Sequence, residues 1–247
     1  MRANSIAACA ALLLLASNAL ASSIPANASK VCLYDNLEVV ASAQRSALIF
    51  ETLRWLIPSK PVYVPSLPAA AELATCQALV VPGNKGSFWA QEGLAASASA
   101  RAALGDYVKS GRVLVLADGY TSGGGNQFFP LLDYLLGEPS RCVAYPVTAD
   151  FLVYSRTSEA AGLPSPLKIK PDTGVSTLLC PSSASIALKA VYTGTEPSAK
   201  KAVSVANLWG VGNGAVLWIG SGYTLPNLKG FSDLVANVVK AKLGPVT

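Results

Sequence analysis

The chain has 247 residues, of which 51% are hydrophobic and 13% are charged, and its formal net charge at pH 7 is +5. The charged fraction is about half of the roughly 25% found in ordinary soluble domains, so the chain is too apolar to be intrinsically disordered. It contains no histidine, which excludes Ser-His-Asp and Cys-His catalytic pairs, histidine-ligated zinc and histidine pH switches.

The amino terminus has the order of regions found in a secretory signal peptide. Arg2 precedes an apolar run over residues 6–16, and an Ala-Leu-Ala exit at 19–21 marks the expected cleavage site. We therefore predict a signal peptide at residues 1–21 and one domain at 22–247. The apolar run is shorter than the about 20 residues that cross a bilayer. The expected product is exported, either secreted or periplasmic/lumenal, with no membrane association after the signal is removed.

The net charge that remains after cleavage bears on whether the protein binds nucleic acid. Loss of Arg2 lowers the net charge from +5 to +4, and the remaining basic residues are scattered along the chain. A basic stripe is the usual footprint of nucleic-acid binding. We therefore predict no nucleic-acid partner.

Four cysteines remain outside the signal segment, an even number that suits two disulfides in an exported chain. They are Cys32, Cys76, Cys142 and Cys180. Their wide spacing, without a C-x-x-C motif or histidine, argues against a zinc site and against thioredoxin-like redox chemistry. We predict no metal and no cofactor, and the three possible disulfide pairings stay open.

In the first half of the domain, short apolar strands alternate with helices. Strands are predicted at Val31–Tyr34, Val62–Val64, Ala78–Val81 and Val113–Leu116, and helices at Ala41–Ile57 and Leu94–Lys109. Continuous apolar strands separated by helices are typical of a parallel sheet that is covered on both faces.

The second half changes character, because several strands follow one another without helices between them. Strands are predicted at Val147–Tyr154, Ser185–Tyr192, Val203–Leu208 and Ala215–Ile219, and helices at Phe128–Leu136 and Phe231–Lys242. We therefore expect an α/β fold in which a flavodoxin-like parallel sheet, with helices on both faces, carries an antiparallel extension. The tryptophans are expected to fill the core, namely Trp55, Trp89, Trp209 and Trp218.

Several segments occur in an order that is familiar from one superfamily. They are Cys76–Gly83, Asp106–Gly111, Leu114–Tyr120, Gly212–Leu217 and Gly220–Tyr223. In this order the chain resembles the class I glutamine amidotransferase-like domain, and it is most similar to the domain at the N terminus of biotin-protein ligases. The resemblance runs from about residue 30 to residue 223.

The departures from that superfamily bear on function. Active members carry a cysteine at a strand-to-helix elbow and a histidine just after a late strand, because the thiolate needs a base. Here the elbow segment 117–120 has no cysteine and the segment 220–224 has no histidine. The resemblance therefore implies a pseudoenzyme, in which glutamine amidotransferase activity is excluded.

Polar residues cluster in the loops that follow the predicted parallel strands, where such folds bind ligands. The ligand-binding candidates are Asp35, Asn84, Lys85, Asp118, Tyr120, Ser221 and Tyr223. The resemblance places Asp118 close to Ser221 and Tyr223, with Lys85 entering from the neighbouring loop. The alternative interpretation is that these are ordinary turn residues.

We expect the protein to bind a small polar molecule or a protein partner in this strand-end crevice, with no catalytic residue. One alternative is a hydrolase-type enzyme that uses Asp118 or an exposed cysteine. Another is a structural secreted protein without a ligand.

Overall fold

The computed structural model describes the chain from residue 30 to residue 243 apart from short gaps; the described ranges are 30–57, 61–83, 85–155, 157–182, 186–197, 200–223 and 229–243. The predicted signal peptide and Asn84 lie outside the described residues.

The described chain contains thirteen strands and six α-helices. The strands are β1 (Lys30–Tyr34), β2 (Pro61–Val64), β3 (Cys76–Val81), β4 (Val113–Ala117), β5 (Tyr120–Thr121), β6 (Gly125–Asn126), β7 (Val143–Pro146), β8 (Phe151–Ser155), β9 (Leu167–Ile169), β10 (Ser176–Leu179), β11 (Leu188–Glu196), β12 (Lys201–Val211) and β13 (Gly214–Ile219). The helices are α1 (Ala43–Leu56), α2 (Ala70–Leu73), α3 (Phe88–Gln91), α4 (Ala98–Lys109), α5 (Phe129–Leu136) and α6 (Lys229–Leu243).

The main sheet has a parallel half and an antiparallel half. Its order is β2-β1-β3-β4-β13-β12-β11-β8-β9, and neighbouring strands are parallel from β2 to β13. From β13 onward the pairs are antiparallel, and β10 pairs with β12 and β7. The predicted mixed α/β class, with a mostly parallel centre and an antiparallel addition, is confirmed.

Helices cover both faces of the parallel half. On one face, Ile49 of α1 and Leu234 of α6 pack in the same cluster as Val115 and Leu217 of the sheet. On the other face, α2 to α5 contribute side chains to a second cluster that includes the adjacent strand residues Leu114 and Trp218. Burial on both faces explains why β4 and β13 are apolar at every position.

Two disulfides are present, and they use the four cysteines that were predicted to form disulfides. Cys32 in β1 is bonded to Cys76 at the start of β3, and Cys142 is bonded to Cys180. Disulfides persist in oxidising compartments, so the pairs indicate a location outside the cytoplasm. Within the described ranges, no helix has the length and apolar character to cross a membrane.

The prediction that Trp55 fills the core is wrong, because its side chain is exposed to 79%. Leu53 faces the core, and Trp55 follows it by two residues, which is about 200° around the helix. By contrast, Trp209 and Trp218 are buried in the strands β12 and β13.

Neither α2 nor α3 was predicted, and further differences lie in the antiparallel half. The strand predicted over 147–154 begins later, as β8 at Phe151, and residues 147–150 separate it from β7. β7, β9 and β10 lie in segments for which no strand was predicted. All three strands are short, and they lie at the end of the main strand order or off it. The intrinsic β-propensity of such short segments is weak, so pairing with strands that are distant in the sequence decides their structure.

Candidate functional site

The candidate site is built on a sharp turn at the end of β4. Asp118 has φ +57° and Gly119 has φ +81°, so two consecutive residues adopt the left-handed conformation. This conformation is uncommon for residues other than glycine, although aspartate adopts it more readily than most, and contacts with neighbouring groups stabilise it. The turn therefore depends on the contacts that surround Asp118.

Three hydrogen bonds fix the backbone of Asp118. Its N–H donates to the carbonyl of Ile219 at 2.7 Å. Its carbonyl accepts from Trp218 Nε1 and from Asn126 Nδ2, each at 2.7 Å. The elbow is thus tied both to β13 and to the segment that leads into α5.

Gly119 is required at the next position because there is no room for a side chain. A Cβ atom there would lie 2.7 Å from the ring of Phe128 and 2.8 Å from Asn126 Oδ1. The carbonyl of Gly119 accepts a 2.7 Å hydrogen bond from the N–H of Gln127. The chain can turn this tightly beneath α5 only with glycine at 119.

The carboxylate of Asp118 is half-buried and accepts hydrogen bonds within the fold. Ser176 Oγ donates to its Oδ1 at 2.6 Å, and the N–H of Tyr120 donates to the same oxygen at 3.3 Å. Ser176 is the first residue of β10 and is only 3% exposed. A buried hydroxyl therefore holds the carboxylate in a fixed orientation.

The segment after β13 meets the same serine from the other side. The N–H of Ser176 donates to the carbonyl of Gly220 at 2.9 Å, and Ser221 forms a bridge with Val175. A Cβ on Gly220 would lie 2.0 Å from the carbonyl oxygen of Ser176. The strand ends of β4 and β13 are therefore joined through the start of β10.

Tyr223 takes a different direction from the one the sequence suggested. It has φ +52° and is 4% exposed, and its hydroxyl forms a 3.0 Å hydrogen bond with Ser232 Oγ of α6. Burial raises the pKa of Tyr223 to about 12. Ser221 is fully buried, and its Oγ accepts the N–H of Tyr223 at 3.2 Å. The structure thus directs the phenol toward α6.

The remaining candidates lie on separate loops. Asp35 follows β1 and is half-buried, and its Oδ1 is a buried atom without a hydrogen-bond partner among the described residues. Lys85 is exposed, and its backbone N–H donates to Val39. Tyr120 is half-buried at the start of β5. Each of these three follows a parallel strand, as predicted.

Sequence reasoning missed Ser176, Asn126 and Trp218, which surround Asp118. Ser176 begins a strand that no periodicity indicates, and it lies 58 positions away along the chain. Trp218 had a usable signal, since it sits two positions before the glycine that ends a buried strand. Its indole N–H must find an acceptor when it is buried.

The chemistry of the elbow follows from its residue types. All four cysteines described are in disulfides, so none of them supplies a thiolate. Within the described part of the chain, no three Cys, Asp or Glu side chains are grouped to hold a metal ion. A carboxylate that is fixed by a buried serine and partly open to solvent can bind cations or hydrogen-bond donors.

Several solved structures share this fold at low sequence identity. A ThuA-like protein from Bacteroides uniformis is 13% identical, with a TM-score of 0.57 and coverage of 87% of this chain and 91% of its own. The N-terminal domain of mmIFT52 is 14% identical, with a TM-score of 0.59 and coverage of 89% and 99%. A GMP synthase subunit from Thermoplasma acidophilum is 13% identical, with a TM-score of 0.52 and coverage of 85% and 92%.

No protein-family model and no curated protein matches the chain. The structural likeness covers most of the chain, so its fold is similar to that of the ThuA-like protein and of the GMP synthase subunit. At identities of 13% this likeness concerns the fold alone.

Proposed function

We propose that the protein is an exported, non-catalytic relative of the amidotransferase-like domains that binds a small polar ligand in the strand-end crevice at Asp118. The observation that carries the proposal is the half-buried Asp118 carboxylate on a left-handed elbow, held by Ser176 Oγ at 2.6 Å. A group kept in this strained conformation by so many contacts is characteristic of functional sites.

The position of the elbow in the sheet supports a ligand site. The parallel strands follow the order β2-β1-β3-β4-β13, which supports the flavodoxin-like arrangement that is part of this proposal. In such sheets ligands bind in the crevice beyond the carboxyl ends of the parallel strands. Asp118 follows the carboxyl end of β4, which lies between β3 and β13 in this row.

The hydrogen-bonding capacity of the Asp118 carboxylate indicates which class of ligand it would bind. An ionised carboxylate only accepts hydrogen bonds, so the ligand must present donors, such as an ammonium, amide or hydroxyl group. The absence of histidine from the sequence removes the base that a Cys-His mechanism needs. Resemblance to the N-terminal domain of biotin-protein ligases is part of this proposal and rests on the order of the motifs.

Export also belongs to the proposal. The charged, apolar and small-residue order of residues 1–21 supports it. The two disulfides, Cys32–Cys76 and Cys142–Cys180, support the same compartment.

A second candidate is an enzyme in which Asp118 acts as nucleophile or general base. The left-handed elbow favours it, because strained turns at strand ends are also used to present nucleophiles. Incubation with activated esters and phosphoesters distinguishes the two candidates. Turnover that is lost in Asp118→Asn would replace the binding proposal by the enzymatic one.

The direct test is a ligand screen by saturation-transfer NMR, using amines, amides, polyols and carboxylates. We expect donor-bearing compounds to bind the wild-type protein and to lose about tenfold in affinity with Asp118→Asn. Asp150→Asn is the control, because it removes the same charge from an exposed pair with Lys168. Equal binding by both variants, or binding of a protein partner that Asp118→Asn leaves intact, would overturn the assignment.

A further inference from the structure

A pocket lies on the side of the sheet covered by α2 and α4. It has a volume of about 290 Å³ and shares no lining residue with the elbow at Asp118. Its wall combines apolar and polar surface, with Leu67, Leu73 and Leu104 as the large apolar side chains and Glu92 and Ser99 as the polar ones. This volume is near the lower end of the range of small-molecule sites.

Small side chains on one face of α4 leave the space that forms the pocket. Ala100 and Ala103 of α4 line the pocket together with Leu104. Positions three and four apart lie on the same face of a helix. A larger residue at 103 would therefore point into the space and fill it.

Among the lining residues, one carries a carboxylate, namely Glu92. Its Oε1 accepts hydrogen bonds from the hydroxyl of Tyr34 and from Asn36 Nδ2. Its Oε2 accepts the N–H of Leu67 at 2.8 Å. A carboxylate has about four acceptor positions, so these three bonds leave one position on Oε2. Leu67 and Glu92 both line the pocket, so the hydrogen bond from Leu67 to Oε2 joins two residues of its wall.

The three donors to Glu92 are neutral. Burial and the neighbouring Glu92 raise the pKa of Tyr34 far above its usual value, so its hydroxyl stays a neutral donor. In the part of the chain that the structure describes, no lysine or arginine lies within 4.0 Å of Glu92. Arg101 on α4 directs its guanidinium to the carbonyls of Leu94 and Ala95, at 2.7 and 3.1 Å.

We propose that this pocket, separate from the elbow, binds a small organic ammonium, that is, a primary amine on an unbranched apolar group of about five carbons. The ammonium donates to Oε2 of Glu92 in a charge-assisted hydrogen bond. The apolar group packs against Leu67, Leu73 and Leu104. A bare divalent cation does not suit the site, because calcium and magnesium need about six oxygen ligands and Glu92 is the one carboxylate among the lining residues.

The test is a titration followed by amide chemical shifts, with pentylammonium, 1-pentanol and pentanoate as probes. We expect saturable shifts at Leu67, Ala100 and Ala103 with pentylammonium. Binding of 1-pentanol is expected to be about tenfold weaker, and pentanoate weaker still. Glu92→Gln should weaken pentylammonium by about tenfold and leave 1-pentanol unchanged.

Two further variants separate the site from general effects. Glu72→Gln removes the same charge from an exposed position on α2 and should leave all three affinities unchanged. Ala103→Phe fills the pocket and should abolish binding of pentylammonium while Glu92 keeps its partners. If Glu92→Gln does not fold, the proposal is tested by the order of the three probe affinities in the wild-type protein and by the effect of Ala103→Phe. Equal binding of pentylammonium and 1-pentanol, equal losses in Glu72→Gln and Glu92→Gln, binding retained in Ala103→Phe, or no saturable shift would each overturn the proposal.

Discussion

The hydroxyl of Ser176 donates a 2.6 Å hydrogen bond to Oδ1 of Asp118, although the two residues are 58 positions apart in the chain. The bond links the first residue of the antiparallel strand β10 to the carboxyl end of the parallel strand β4. It therefore connects the two halves of the sheet at the point where the candidate ligand site lies.

Ser176→Ala tests how far this hydrogen bond orients the carboxylate. Hydrogen bonds to charged groups contribute about 1.5–3 kcal/mol, and the half-exposed position of Asp118 places the expected loss at the lower end. Urea denaturation should show a loss of about 1.5 kcal/mol, together with weaker binding of donor-bearing ligands. Ser66→Ala, at an exposed turn position, is the control. A loss no greater than that of the control would contradict a positioning role for Ser176.

Gly119→Ala tests the packing beneath the elbow. The left-handed φ of +81° alone costs an alanine about 1–2 kcal/mol. The contacts with Phe128 and Asn126, below 3 Å, should raise the total to about 2–4 kcal/mol. Gly137 also has a left-handed φ, of +75°, but a Cβ there meets nothing within 4 Å. Thermal or urea unfolding should therefore show a smaller loss for Gly137→Ala, and equal losses would mean that Phe128 and Asn126 move aside freely.

Tyr223→Phe separates the core position of this residue from a ligand-binding one. The hydroxyl bonds to Ser232 in the interior, so its removal should cost about 1 kcal/mol of stability. Ligand affinity should not change. Absorbance titration at 295 nm offers a second readout, because the pKa of about 12 keeps this phenol protonated while exposed tyrosines ionise. Loss of ligand affinity at unchanged stability would put the phenol in the crevice after all.

The lowered pKa of Glu159 predicts that the protein loses stability in acid. Burial alone would raise its pKa, but the hydrogen bond and charge of Lys189, at 2.6 Å, lower it to about 2. The folded-state pKa is thus below the ordinary value of 4.5. The stabilisation is complete above about pH 4.5 and is lost as the pH falls toward about 2. Urea unfolding of the wild type and Glu159→Gln should differ at pH 7 and converge near pH 2, and a difference that does not depend on pH would contradict the ion pair.

The disulfides predict a thiol count and a stability change. Cys32, Cys76, Cys142 and Cys180 should give no reaction with a thiol reagent in the unfolded, unreduced protein and four equivalents after reduction. The Cys32–Cys76 bond closes a loop with a sequence separation of 44, so Cys32→Ala with Cys76→Ala should cost about 3–4 kcal/mol. Any free thiol among the four would reopen the cysteine-based enzyme alternative.

Local patterns in the sequence determined the centre of the fold. Strands β1, β3 and β4 were predicted at nearly their observed positions, because strands that are buried on both faces form nearly continuous apolar runs. Turn formers such as Asp118 and Gly119 mark the strand end by themselves. An even number of cysteines in a chain with a signal-like amino terminus was enough to predict two disulfides.

Long-range packing decided the rest. The choice of Cys32–Cys76 and Cys142–Cys180 over two other pairings depends on which strands become neighbours. The direction of a loop side chain depends on backbone angles that only distant contacts fix. This is why Tyr223, at φ +52°, points to Ser232 and why Asp118 meets Ser176. Sequence spacing determined which residues end the strands, and tertiary contacts determined which of those residues face each other.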